Sequence, residues 1–96
     1  MRELPQRHRP LLEGRRIVVA SADRVLISGL VHSLNGIGSL VGAASTEAEA
    51  LACLSHTAAD LLICSDQLER GNGPSLVAAA KAQQPTLRCL MLIQRP

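Results

Sequence analysis

The polar residues best placed for chemistry follow an apolar run near the middle of the chain. Residues 61–64 (LLIC) are typical of a buried strand, and Ser65 and Asp66 come directly after it. Residues 71–74 (GNGP) then predict a loop and a helix that begins at proline. In open α/β sheets, ligands bind beyond the carboxyl ends of the strands. A hydroxyl there could act as a nucleophile and a carboxylate could hold a hard cation, but one of each is an incomplete set.

Other catalytic or metal-binding patterns are absent from the sequence. The glycine pairs at 36–38 and 71–73 complete neither GxGxxG nor GxxxxGK[ST], and no GxSxG surrounds a serine. We therefore expect no enzymatic activity of the chain on its own. The cysteines and histidines lack metal-ligand spacing and a CxxC pair, which favours free thiols in a reducing cytoplasm: Cys53, Cys64, Cys89, His8, His32 and His56.

Apolar runs and helical patterns alternate along the chain and predict a parallel α/β sheet. Strands are expected at residues 17–20, 39–44, 61–64 and 87–93, with one amphipathic helix in each interval. Ser21 or Asp23 can cap the first helix, and Thr46 with Glu49 forms a capping box for the second. Connections of this length between parallel strands are right-handed βαβ units.

Composition limits the chain to one small domain preceded by a basic arm. The 96 residues include 47% hydrophobic residues but no Phe, Tyr or Trp, so the core must be aliphatic. Residues 1–14 are predicted to be a disordered tail and residues 15–96 the domain. The first 16 residues hold five arginines and two glutamates, which leaves contact with nucleic acid open. We expect no nucleic-acid binding by the chain alone, since no aromatic side chain can stack on bases. No apolar run reaches the length of a membrane span.

These segments, in this order and spacing, resemble the receiver domain of two-component response regulators. The resemblance covers residues 16–93 and is closest to receivers that precede a LuxR-type output domain. It implies a flavodoxin-like fold with strand order 2-1-3-4-5, a role in phosphorelay signalling and a link to transcription regulation. The matching segments are residues 17–20 (IVVA), 29–30 (GL), 41–45 (VGAAS), 49–51 (EAL), 59–63 (ADLLI) and 71–73 (GNG).

The resemblance also implies a phosphorylation site, and this sequence departs from it. The family places a Mg²⁺-binding acidic pair after the first strand, a phosphoacceptor Asp after the third, and a switch Ser or Thr after the fourth. Here the pair falls on residues 21–22, with Asp23 one place later; the acceptor falls on Ser65, or on Asp66 after a one-residue slip; and the switch hydroxyl falls on Ile93.

Two interpretations of this site stay open. In the first, the chain is a pseudo-receiver that is not phosphorylated and acts through protein contacts. In the second, Asp66 is an active phosphoacceptor and shares a Mg²⁺ ion with Asp23. The resemblance also implies a histidine kinase as a partner in the second case.

A complete receiver has a fifth strand and helix, for which no residues follow Ile93 except Gln94, Arg95 and Pro96. We expect one of three explanations: a fragment of a longer regulator, a truncated gene product, or a sheet completed by another chain. The fourth strand would then be an apolar edge that favours pairing. A homodimer through this edge would use Leu87, Leu90 and Leu92.

Overall fold

The sheet and its helices follow the predicted order. The computed structural model describes residues 14–93, so the predicted disorder of residues 1–13 lies outside the described part of the chain. The elements are β1 (Arg16–Ala20), α1 (Arg24–Leu34), β2 (Ser39–Ala44), α2 (Glu47–His56), β3 (Leu61–Ser65), α3 (Gly73–Gln83) and β4 (Arg88–Leu92).

The four strands form one parallel sheet in the order β2-β1-β3-β4. This confirms the predicted flavodoxin-like α/β class for the first four strands. The order in which strands are added to the sheet changes side at β1: β2 lies on one side of β1, and β3 and β4 lie on the other. The register between β1 and β2 shifts once, between Ile17 and Val18, whereas β4 pairs with β3 without interruption.

The core has two parts because alternate residues of a strand face opposite sides of the sheet. On one side, Val18 and Leu62 pack with Leu54 of α2 and Leu76 of α3. On the other side, the strand residues pack against α1, in a cluster of Ile17, Val19, Leu30, Leu34, Leu61 and Ile63. Every residue of β3 is buried, as expected for a strand covered on both faces.

Each helix begins after an Asp, Thr or Asn residue, which are residue types that commonly cap helices. Asp23 caps α1, Thr46 caps α2 and Asn72 caps α3, each through a side-chain oxygen that accepts a backbone N–H of the first turn. Helix α1 ends at Asn35, and Gly36 follows with a φ of 82°, which glycine adopts without strain.

The edge strand β4 is only partly covered. Leu87 precedes the strand and is 2% exposed, so it belongs to the core and offers no surface to a partner. Leu90 is 36% exposed and Ile93 is 61% exposed, while Leu92 is half-buried. Of the three predicted interface residues, Leu90 and Leu92 therefore remain available.

None of the helices within residues 14–93 has the length and hydropathy needed to cross a membrane.

Candidate functional site

Two buried serines meet where the carboxyl ends of β1 and β3 lie side by side. Ser65 is the last residue of β3, and Ser21 directly follows β1. Because β1 and β3 are parallel neighbours, both side chains reach the same place. The Ser65 hydroxyl donates to Ser21 Oγ at 2.6 Å, and the two residues are 1% and 0% exposed. This position is where the resemblance places the phosphoacceptor and the start of the acidic pair.

Both hydroxyl groups are engaged with the surrounding backbone. Ser21 Oγ accepts the N–H of Asp23 at 3.0 Å, and Ser65 Oγ lies 3.4 Å from the carbonyl oxygen of Gln67. Within residues 14–93, every buried side-chain nitrogen or oxygen has a hydrogen-bond partner. The serine pair is thus a satisfied polar contact inside the protein, and not an open site.

Asp23 performs a structural task at the start of α1. Its Oδ1 accepts the backbone N–H groups of Val25 at 2.9 Å and Leu26 at 3.1 Å. A carboxylate at a helix N-terminus is favoured by the helix dipole as well as by these bonds. Asp23 lies one residue beyond the position of the family's acidic pair, and at that position it caps α1.

Asp66 lies just past β3, and its backbone joins three elements. Its N–H donates to the carbonyl oxygen of Leu92 at 3.1 Å, and its own carbonyl accepts the N–H of Gly73 at 3.0 Å. A Cβ atom on Gly73 would collide with the Ser65 carbonyl oxygen and would lie 2.9 Å from the Cα of Asp66. The loop therefore closes this tightly only because residue 73 is glycine.

The loop of residues 66–72, between β3 and α3, crosses above the carboxyl ends of β1 and β2. The Gln67 carbonyl accepts the N–H of Ala22 at 3.2 Å. Farther along, Glu69 donates its N–H to the Ser45 carbonyl at 2.8 Å, and the Arg70 carbonyl accepts the N–H of Glu47 at 3.0 Å. We call residues 66–72 the crossing loop. It covers the serine pair. The sequence predicts a loop before α3, but not its path across the ends of β1 and β2.

The donor set at this end of the sheet does not fit a Mg²⁺ ion. Magnesium prefers an octahedral shell of oxygens, usually including one or two carboxylates. Ser65 stands in place of the acceptor carboxylate, and the Asp23 carboxylate already binds the start of α1. No group of three or more His, Cys, Asp or Glu side chains comes together among residues 14–93.

The remaining candidates are not nucleophiles or switches. Ile93 follows β4 and is largely exposed, but its side chain has no hydrogen-bonding group to sense a phosphate. Burial raises the pKa of the Cys64 thiol to about 11, which keeps it protonated and unreactive at neutral pH. Burial likewise raises the pKa of Cys89.

Comparisons with known proteins agree with this architecture. No protein-family model matches the chain, and no curated protein matches it in sequence. Among solved structures, promoter-bound RcsB from Salmonella enterica serovar Typhimurium superimposes with a TM-score of 0.79 at 20% identity. That match covers 88% of this chain and 50% of RcsB. The isolated receiver domain of the same RcsB gives a TM-score of 0.77 at 20% identity, over 86% of this chain and 64% of the domain.

The chain has the receiver fold. A variant of the anti-anti-sigma factor PhyR from Bartonella quintana gives the same result, with a TM-score of 0.77 at 14% identity over 88% of this chain and 36% of PhyR. This chain spans half or less of these whole regulators and under two thirds of the isolated receiver domain. At these sequence identities, what the matched proteins share with this chain is the receiver fold.

Proposed function

We propose that this chain is a two-component signalling module of the pseudo-receiver kind, which acts through protein contacts and not as an enzyme. The observation that carries the proposal is the hydrogen bond between Ser65 and Ser21 at the carboxyl end of the sheet. It occupies the position where a phosphorylated receiver would need carboxylates.

Phosphoryl transfer to a receiver depends on positioning and on neutralising charge on the phosphoryl oxygens, which is the task of a divalent cation. A serine hydroxyl carries no charge and attracts such a cation far less than a carboxylate. The crossing loop adds a steric reason, since its Gln67 carbonyl is bonded to Ala22 directly above the serine pair. A phosphodonor would have to displace that contact to reach Ser65.

A second candidate function is phosphorylation at Asp66, with Mg²⁺ as cofactor. One observation favours it: Asp66 is only half-buried and lies at the carboxyl end of β3, next to Ser65. In this case a histidine kinase would be the natural phosphodonor, and Asp23, whose Oδ1 caps α1, would share the metal ion with Asp66.

Phosphorylation can be measured directly. The 96-residue chain is incubated with acetyl phosphate and Mg²⁺, and its intact mass is recorded. We expect no gain of a phosphoryl group. A gain that Asp66→Asn abolishes would contradict the proposal and support the second candidate. Asp60→Asn is the matched control, because Asp60 is an exposed carboxylate at the opposite end of β3.

The neighbours suggest the kind of partner. RcsB has been solved bound to promoter DNA and as two dimers on two DNAs, and PhyR is an anti-anti-sigma factor. For this chain we propose a protein partner in the cytoplasm and an indirect role in transcription regulation, because residues 14–93 contain no helix assigned to DNA reading. On this proposal, the partner binds to the surface of the folded chain, and its binding does not require phosphorylation.

A second copy of the chain is the simplest partner for the open edge of β4. An edge strand presents unpaired N–H and C=O groups, and this one adds exposed Leu90 and Ile93. If two β4 strands pair antiparallel about Leu90, each Arg88 lies opposite Leu92 of the other copy. No like charges then meet across the pair.

A further inference from the structure

Asparagine occurs twice in this chain, at Asn35 and Asn72, and glycine follows it both times. In an Asn-Gly sequence the backbone nitrogen of the glycine can attack the asparagine side-chain carbonyl, because glycine has no side chain to hinder the approach. Both asparagines are exposed to solvent. Sequence and exposure therefore give the two sites the same reactivity, and any difference between them comes from the fold.

Asn35 and Gly36 lie in the turn between α1 and β2, where neither reacting group is held. Asn35 donates its own N–H to the His32 carbonyl at 3.3 Å. The next bond of the turn starts at Ile37, whose N–H donates to the Leu34 carbonyl at 2.9 Å. Within residues 14–93, no hydrogen bond engages the Gly36 N–H or the Asn35 side chain. The nucleophile and the carbonyl that it attacks are therefore both available.

The backbone around Gly36 also has room to move. Gly36 is exposed, and nothing lies within 4 Å of the place that a Cβ atom would occupy there. Ring closure requires the peptide between Asn35 and Gly36 to rotate until the glycine nitrogen faces the side-chain carbonyl carbon. In this open turn that rotation meets no packed atoms at Gly36.

Asn72 and Gly73, at the start of α3, are held at both reacting groups. Asn72 Oδ1 accepts the N–H of Ser75 at 2.8 Å, which fixes the side-chain carbonyl as the cap of the helix. The Gly73 N–H donates to the Asp66 carbonyl at 3.0 Å. Gly73 is buried, and it packs so closely against the Ser65 backbone that no Cβ atom fits. Rotation of this peptide would break both hydrogen bonds and open the crossing loop.

We propose that Asn35 is a site of spontaneous deamidation and that the fold protects Asn72 from the same reaction. The Gly36 nitrogen bonds to Asn35 Cγ and the Cγ–Nδ2 bond breaks. The side-chain nitrogen leaves as ammonia, with the proton that the Gly36 nitrogen loses. Water then opens the cyclic imide at either carbonyl and leaves aspartate or isoaspartate at position 35. The reactants are the chain and water, so the reaction needs no enzyme, oxidant or cofactor.

Deamidation would place a negative charge at the C-cap of α1. The C-terminus of a helix carries a partial negative charge, so a carboxylate is unfavourable there. The isoaspartate form also adds a methylene group to the backbone of the turn that leads to Ile37, which packs against the core on the α1 side of the sheet. The product therefore marks older copies of the chain. This inference is independent of the proposed function, since it uses neither the serine pair nor the edge of β4.

The test compares the two asparagines within one sample. The 96-residue chain is incubated at mildly alkaline pH, portions are digested with trypsin over time, and the peptide masses are recorded. Trypsin cleaves after Arg24, Arg70 and Lys81, so Asn35 and Asn72 fall in different peptides. We expect residues 25–70 to gain about 1 Da. Residues 71–81 should react about tenfold more slowly or less, because a helix cap and a buried hydrogen bond must break first.

Two controls separate the effect of the fold from that of the sequence. In concentrated guanidinium chloride both peptides should gain mass at similar rates, because the cap of α3 and the crossing loop are then lost. Asn35→Gln should abolish the gain in residues 25–70, since glutamine would have to close a larger ring. Equal rates in the folded chain, or a gain in residues 25–70 that persists in Asn35→Gln, would overturn the proposal. A folded chain in which residues 25–70 keep their mass while the denatured chain reacts would overturn it as well.

Discussion

At the scale of single residues, the serine pair sets the chemistry where the carboxyl ends of β1 and β3 meet. Two carboxylates this close would repel each other and would need a cation between them. Two hydroxyls at 2.6 Å need none, because one donates and the other accepts. On the proposed function, a position that is charged and binds a metal ion in the family that the sequence resembles is here a neutral contact between the ends of β1 and β3.

Replacing both members of the pair should cost less than the sum of the two single replacements. Ser65→Ala or Ser21→Ala leaves a buried hydroxyl with a lost partner, and we expect each to lower the free energy of unfolding by about 1–2 kcal/mol. The double variant should lose less than the sum of the two. Urea unfolding followed by far-ultraviolet circular dichroism measures all three.

Ser55→Ala serves as the control for these variants, because Ser55 is exposed on α2 and bonds only within its own helix. It should stay within about 0.5 kcal/mol of the unchanged chain. Strictly additive losses at Ser21 and Ser65 would show that the two hydroxyls do not interact.

Gly73→Ala should destabilise the chain by about 1–3 kcal/mol, the usual cost of forcing atoms into packed structure. Its Cβ would press on the backbone of Ser65 and Asp66, which cannot rotate away. Gly42→Ala is the matched variant in the sheet, where the new atom would meet the Cys53 side chain at 3.3 Å. A loss at residue 73 no larger than that at residue 42, measured by urea unfolding, would contradict this account of the crossing loop.

The sequence left the acceptor position undecided between Ser65 and Asp66, because a one-residue slip could be absorbed in the loop. The structure places Ser65 as the final residue of β3, with its side chain against Ser21, and Asp66 beyond the strand. Alternation along a strand decides which of two adjacent side chains points at a given neighbour. The sequence pattern does not show how β3 pairs with β1, so it does not show which of the two side chains faces Ser21.

At the scale of elements, the helix starts were predictable because capping is local. Thr46 and Glu49 were expected as a capping box, and the structure has Glu49 N–H donating to Thr46 Oγ1 at 3.1 Å while Glu49 accepts the Ser45 N–H. Asn72 and Pro74 likewise mark the start of α3. The path of the crossing loop was not predictable, since its bonds to residues 22, 45 and 47 span 45, 24 and 23 positions of the chain, and only the folded sheet brings these residues together.

The capping box predicts a pH dependence of stability. Backbone and side-chain hydrogen bonds from Ser45 lower the pKa of Glu49 below its ordinary 4.5 in the folded chain. The ionised form is therefore favoured by folding, and its stabilising effect is present above pH 4.5 and lost as the pH falls through the lower folded value. Glu49→Gln should reduce the free energy of unfolding above pH 4.5, and the difference should shrink in more acidic solution.

Thr46→Ala is the companion variant in the same box. It removes an uncharged acceptor whose hydrogen bond contributes least to the lowered pKa of Glu49, so its cost, about 1 kcal/mol, should change less with pH than the cost of Glu49→Gln. Urea unfolding of both variants between pH 3 and pH 7, on the order of ten conditions, separates the two behaviours. A pH-independent effect of Glu49→Gln would show that its charge does not matter to the cap.

At the scale of the whole molecule, the sheet is covered unevenly. Within residues 14–93, two helices, α2 and α3, pack on one face and only α1 packs on the other. β1 and β3 are still buried because they are central, but β4 lies at the edge with Leu90 and Ile93 exposed. β4 pairs with β3 without a β-bulge, and a bulge is one of the features that keep edge strands from pairing with another chain.

If two copies pair through β4, sedimentation velocity should show a dimer, and Leu90→Lys should convert it to a monomer by placing a charge at the centre of the pair. Val31→Lys is the matched control, since Val31 on α1 is 42% exposed, close to the value for Leu90. It should leave the dimer intact. A monomer at all concentrations, or equal dissociation by the two variants, would contradict the homodimer.

The neutral junction between β1 and β3 has a consequence for how such a module could carry information. Serine hydroxyls do not ionise at physiological pH, so the junction has one charge state. On the proposed function, the concentration of this chain then determines, by mass action, the fraction of its partner that is bound. Synthesis of the chain would raise that bound fraction and proteolysis would lower it. The time over which the signal decays would then be the lifetime of the polypeptide.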